Sequence, residues 1–402
     1  RAGILVALMI ILAVSHTYIV DLNCEYLRAL VQVDPNVEVT AVVPKRWTPG
    51  GVQSKKIETQ PRDEGRFKLV PVANFSENNQ SLLSFGTEIF SLLRQFKPDI
   101  IHMEQGAKSL GYAELITLNR LLGLKAKNVF FTWWNLPYEV KFPLSVLESY
   151  NLRHTDGLVV GNQDGADILK DHGYSGPPIV MPQLGVDARL FPPAEQPALA
   201  SQHGISPDEF IIGFVGHFVP EKGLVTLFNA LGKRQNAGLS RPWKLLLLGR
   251  GQLKETLQQL ATELGIAERI IWIESVPHAD VPRYINLMDT LILPSETTYQ
   301  FKTLSAVGWK EQFGHEIIEA MACGVPVIGS DSGEIPHVIK DDGLVFPEGD
   351  AAALAEKISL LIEQPEQQQT LGKQGYQRAM KEYTNKALAT QLLNFYSTLF
   401  SQ

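Results

Sequence analysis

The 402-residue chain carries 36 Lys and Arg against 43 Asp and Glu, a formal net charge of −7, which argues against nucleic acid as its main partner. The length exceeds one ordinary hydrophobic core and points to two domains of about 200 residues each. Its two cysteines, Cys24 and Cys323, are too few and too far apart for a disulfide framework, so a reducing, cytoplasmic setting is expected.

Residues 4–14 form the most apolar run. At about eleven residues it falls short of the roughly 20 a bilayer span needs, and no small-residue cleavage site follows it. A buried first strand is expected, and Arg1 reads as a trimmed or engineered end. Residues 15–30 read as an amphipathic helix capped by Ser15 or Thr17. Segment 45–68 is polar, Gly- and Pro-bearing and mostly basic. It reads as a solvated loop, with a sharper alternative of an acceptor contact or peripheral membrane contact to anionic lipid, Trp47 at its tip. Strands are expected at 37–44, 98–103, 128–134, 157–162 and 178–183, with helical periodicity between them, as at 86–96. Near-continuous apolar strands alternating with helices imply a parallel sheet covered on both faces.

Stretch 185–197 breaks this pattern with Pro and Asp and reads as a linker. The alternation restarts at 210–216, 243–249, 269–274, 290–295, 325–330 and 343–347. The expectation is an α/β protein of two doubly wound parallel-sheet domains facing a cleft. Residues 1–184 form the first and 185–384 the second, with a final helix at 385–402 packing back onto the first. Ligands of such sheets bind beyond the carboxyl ends of the strands, and small-molecule sites favour domain interfaces.

The densest chemistry lies in "WKEQFGHEIIEAMACGVPV" (309–327). A helix is expected from about Gly314 to Cys323. The N–H groups and positive dipole end of its first turn, around Phe313, Gly314 and His315, offer an anion site. Gly314 allows close backbone approach. Glu319 lies one and a half turns into the helix, and its side chain leans back toward the helix start. A carboxylate there suits hydroxyl donors such as ribose, while Glu311, just before the helix, suits a sugar beyond the phosphates. Capping and solvation are the plain alternatives for both acids. In "GHFVPEKG" (216–223), Lys222 opens a helix after a strand ending at Gly216. It can reach phosphates as a mobile cation and offset charge on a leaving diphosphate.

These segments, together with "LLLLGRG" (245–251) and "QLGVD" (183–187), resemble the retaining glycosyltransferases of family 4, which have the GT-B fold of two Rossmann-like domains. The likeness runs from about 183 to 360 and is looser in the first domain. It implies a metal-independent transferase, without cofactor, that moves a hexose from a nucleoside diphosphate sugar to a hydroxyl acceptor. A UDP-sugar is the first choice and a GDP-sugar the second. The acceptor could be a polysaccharide, a lipid-linked sugar or a small metabolite. The resemblance implies that Glu311 holds donor-sugar hydroxyls, Glu319 holds the ribose and Lys222 clamps the diphosphate. Phe313, Gly314 and His315 would face sugar and phosphate, and Gly216, Gly249, Arg250 and Val276 would border the nucleotide. His217 stands where the family usually has an arginine. The loop after the first strand, 13–18, has no glycine. Trp133, Trp134 and Asn135 replace a histidine common in the family. Acceptor-side candidates are His16, His102, Glu104, Trp133 and Asn135. Stretch 296–310, longer than usual, is expected to be a lid or acceptor-side loop. "GRGQLK" (249–254) lacks the third glycine of a dinucleotide motif. Three rival readings remain: an epimerase or hydrolase of nucleotide sugars with the same fold, a sugar-nucleotide-binding protein without turnover and, less favoured, an oxidoreductase with a dinucleotide in the cleft.

Overall fold

The computed structural model describes residues 8–49, 55–235, 240–302 and 307–401. The start of the expected first strand, part of the basic segment 45–68 and part of stretch 296–310 lie outside the described residues. The chain divides into two compact units, Arg1–Gly185 with Asn385–Gln402, and Val186–Thr384.

The first unit is built on an eight-stranded sheet. Its spatial order is Pro178–Val180, Gly157–Val160, Lys127–Thr132, Ile100–Met103, Met9–Val14, Val37–Pro44, Phe67–Val72 and Arg62–Glu64. All pairings are parallel except the last. Strands Ile100–Met103 and Gly157–Val160 are buried from end to end because helices cover both faces. Helix Asn385–Leu399 covers one face. Its Leu388, Leu392, Tyr396 and Leu399 recur at helical spacing and join Leu27 and Leu30 of helix Glu25–Val33 in one core.

Three expectations need correction here. Residues 15–24 are two 3-10 turns, Thr17–Ile19 and Asp21–Cys24, and the α-helix begins only at Glu25. Ser15 Oγ accepts from the Thr17 N–H at 3.0 Å, a local turn that competes with helix. The segment after Pro44 is not simply a solvated loop, since Arg46–Trp47 pairs antiparallel with Ile57–Glu58. Trp47 is 3% exposed and packs on the His16 ring at 4.8 Å, so it presents no tip to a lipid surface. Among the described residues no helix is long and apolar enough to cross a membrane.

The second unit has a six-stranded sheet, all parallel. Its order is Ile270–Ile273, Trp243–Leu248, Phe210–Val215, Thr290–Leu293, Val327–Ser330 and Leu344–Phe346. The second unit begins at Val186, at the start of stretch 185–197. Val186 and Phe191 are buried, and Asn286 holds Pro192 O and Ala194 N–H. Stretch 296–310 contains an antiparallel ribbon, Thr298–Lys302 against Val307–Trp309, with Tyr299 and Phe301 exposed.

Candidate functional site

In the second unit, strand Phe210–Val215 ends at Gly216, whose carbonyl lies 1.8 Å from where a Cβ on Gly249 would stand. A side chain at Gly249 would break this approach of two strand ends. The chain then makes a 3-10 turn, Pro220–Lys222, closed by Gly223 in the left-handed region with φ 65°. A Cβ on Gly223 would meet Pro294 O at 1.7 Å, so only glycine lets this turn sit against the end of strand Thr290–Leu293. The Glu296 N–H donates to Glu221 O at 2.8 Å and fastens the two segments.

This arrangement brings Lys222 to Glu311 although 89 positions separate them. Lys222 Nζ lies 2.7 Å from Glu311 Oε2 and 3.6 Å from Glu316 Oε1. The Ser295 hydroxyl donates to the same Glu311 oxygen at 2.8 Å. The Lys222 and Glu311 side chains are only 13% and 9% exposed. Burial pulls the Lys222 pKa down, but Glu316 and Glu311 outweigh it and raise the pKa above the ordinary lysine value. The Trp309 ring, at the base of the ribbon, lies 5.9 Å from Nζ.

Helix His315–Ala322 starts on Gly314, whose φ of 86° and tight fit against Leu293 favour glycine. Phe313 is buried, its ring 5.1 Å from that of His315 and tilted against it. The helix start therefore stands beside the Lys222 cluster at the carboxyl ends of the parallel strands. Glu319, one turn on, lies 3.5 Å from His278 Nε2. That contact raises the His278 pKa against the opposing effect of burial. Arg250 is exposed and its carbonyl accepts from the Phe218 N–H at 2.9 Å. His217 is exposed, and Val276 is partly buried between Ile273 and the turn at His278. Sequence reading missed Ser295, Glu316, Trp309 and His278. Glu316 carried a signal in the sequence, an acid in the first turn of the helix between Glu311 and Glu319.

The first-unit candidates are less accessible than expected. His102 is a core residue in contact with the Tyr396 hydroxyl of the final helix, and burial lowers its pKa to about 3. It has no open face toward an acceptor. Glu104 is also buried, hydrogen-bonded to Tyr26, Gln183 and Thr17. Asn135 is buried, while Trp133 is half-buried and donates to Gln183 Oε1 at 3.1 Å. His16 is half-buried against Trp47, and burial lowers its pKa to about 4.

Burial raises the Glu104 pKa to about 7, although its hydrogen bonds work the other way. A carboxyl raised in the folded state binds its proton more tightly there. Its stability contribution is therefore complete below the unfolded value near 4.5 and is lost as pH rises through about 7. Wild type is expected to lose about 3 kcal/mol more than Glu104→Gln between pH 5 and 8, read by urea denaturation. Equal pH slopes would contradict the buried, protonated acid.

The family of glycosyl transferases group 1 matches residues 195–378. Residues 195–378 thus resemble a group 1 glycosyl transferase domain. The chain is 27% identical over 270 residues to the D-inositol 3-phosphate glycosyltransferase of Segniliparus rotundus, covering 64% of this chain and 56% of that protein. It spans about half the length of the curated relatives it matches. Among solved structures, sucrose-phosphate synthase from Thermosynechococcus elongatus superposes with a TM-score of 0.67 at 20% identity, covering 98% of this chain and 99% of the other. HepE of Anabaena, solved with UDP, gives a TM-score of 0.67 at 16% identity, covering 97% and 100%. The chain thus has the GT-B fold, and the matched region contains Lys222, Glu311, Glu316 and Glu319.

Proposed function

We propose that the protein is a retaining, metal-independent glycosyltransferase that moves a hexose from a nucleoside diphosphate sugar to a hydroxyl acceptor. The observation that carries the reading is the buried Lys222–Glu311 pair beside the start of helix His315–Ala322. A diphosphate placed at the helix start would meet backbone N–H groups, the positive end of the helix dipole and the Lys222 ammonium. Glu311, with one oxygen fixed by Lys222 and Ser295, is oriented to accept hydrogen bonds from the hydroxyls of the transferred sugar. Glu319 would accept from the ribose, and His278 would hold its carboxylate in place.

In this scheme Lys222 offsets the charge that develops on the leaving diphosphate. That diphosphate takes the acceptor's proton on the same face of the sugar, which keeps the anomeric configuration and asks for no side-chain base. UDP is the preferred nucleotide, supported by the likeness to a fold solved with UDP, with GDP second. Of the first-unit candidates, His16 and Trp133 keep partly exposed rings for an acceptor.

Glu319→Ala is expected to weaken nucleotide binding by about 1–3 kcal/mol, the usual cost of an unmet polar group. Calorimetry with UDP and GDP reads this, and unchanged affinity removes Glu319 from the ribose. The overall reading is tested by donor turnover with and without an acceptor panel. Transfer that requires acceptor supports it. Nucleotide release at the same rate without acceptor favours a hydrolase, and binding without any turnover favours a binding protein.

A further inference from the structure

We propose that Glu316 is an internal counter-ion of Lys222 that competes with the diphosphate and limits how tightly the product nucleotide is held. The proposal rests on the donor-site reading above and concerns a residue with no assigned role in it.

The two acids around Lys222 differ in how they are held. Glu311 lies at hydrogen-bond distance, is fixed again by Ser295, and is 9% exposed. Glu316 stands farther off at 3.6 Å and is 20% exposed. Its Oε1 lies 3.5 Å from where a Cβ on Gly216 would be. The carboxylate thus stands in van der Waals reach of Gly216, the glycine that follows strand Phe210–Val215. It also occupies the first turn of helix His315–Ala322, where the dipole favours negative charge.

These features describe an anion already seated in the corner where a diphosphate would bind. Among the described ion pairs of this cluster, one cation, Lys222, stands between two carboxylates, so negative charge is in excess there. An incoming diphosphate must displace Glu316 or bear its repulsion, while Glu311 keeps its contact. The released nucleoside diphosphate carries one more negative charge than the sugar-bearing donor, so the repulsion falls more heavily on product than on substrate. Glu316 therefore sets specificity between the two states of the nucleotide and favours product release.

The test is calorimetry of wild type, Glu316→Gln, Glu316→Ala and Lys222→Met with UDP and GDP, their monophosphates and their nucleosides, with thermal melting to confirm folding. Both Glu316 variants are expected to bind the preferred nucleoside diphosphate about tenfold tighter. The gain should shrink for the monophosphate and vanish for the nucleoside. Product inhibition should rise in parallel. Diphosphate binding that is unchanged or weaker in both variants overturns the inference, as does an equal gain for the nucleoside, which would indicate reshaping of the pocket. The underlying reading fails in a different way: neither nucleotide binds wild type, or binding is indifferent to Lys222→Met.

Discussion

Glu311→Ala is expected to cut turnover by roughly 10²–10³-fold while leaving nucleoside diphosphate affinity equal to wild type or higher. The first number is the usual loss when a fixed polar group aimed at the reacting centre is removed. The second follows from the geometry. Glu311 takes a hydrogen bond from Lys222 at 2.7 Å, and its removal returns that donor to the phosphates. A change confined to turnover marks an interaction made in the transition state. The measurement pairs steady-state kinetics with calorimetry of the free nucleotide. Affinity that falls in step with turnover would place Glu311 on the nucleotide and undo the division of labour between Glu311 and Glu319.

Lys222→Met is expected to weaken nucleoside diphosphate binding by about one to two orders of magnitude, the scale of a buried charge-assisted contact. It should also destabilise the fold. The substitution leaves Glu311 buried without its cation and next to Glu316, and breaking one side of a buried pair costs about 3–5 kcal/mol. Adding Glu311→Gln removes the stranded charge, so the double variant should recover part of that stability while nucleotide binding stays weak. Urea denaturation of the single and double variants separates the two effects. A double variant no more stable than Lys222→Met alone would show that the pair is not coupled as described.

Much of this architecture is readable from the chain. Runs such as 37–44, 210–216 and 243–249 are apolar on every residue or nearly so, and such strands become parallel only when both faces are covered. The observed strands Val37–Pro44, Phe210–Val215 and Trp243–Leu248 follow those runs closely. Helix His315–Ala322 begins where glycine at 314 permits a left-handed start. The misreadings share a cause, which is that local pattern says nothing about distant partners. Residues 15–24 have apolar spacing suited to a helix, but Ser15 and Thr17 satisfy the backbone in a turn. Trp47 looks like a loop tip until His16, from another strand end, packs on it. His102 looks like a strand-end ligand until a helix 294 positions later covers it.

The site shows the same limit. The sequence places Glu311 and Glu319 on either side of a helix start, because that relation is local. It does not show Glu311 gripped by Lys222 and Ser295, or Glu319 held by His278, since those contacts cross strands. Long-range pairing gathers Lys222 with Glu311 and Glu316 into a largely buried charge cluster. Glycines 223 and 249 permit it by letting a backbone carbonyl sit where a side chain would otherwise stand.

A crystal structure of the protein with its preferred nucleoside diphosphate sugar is the most direct test. The account predicts the diphosphate at the start of helix His315–Ala322 within reach of Lys222, the ribose hydroxyls on Glu319 and the sugar hydroxyls on Glu311. A nucleotide bound elsewhere, with the Lys222–Glu311 corner untouched, would contradict it.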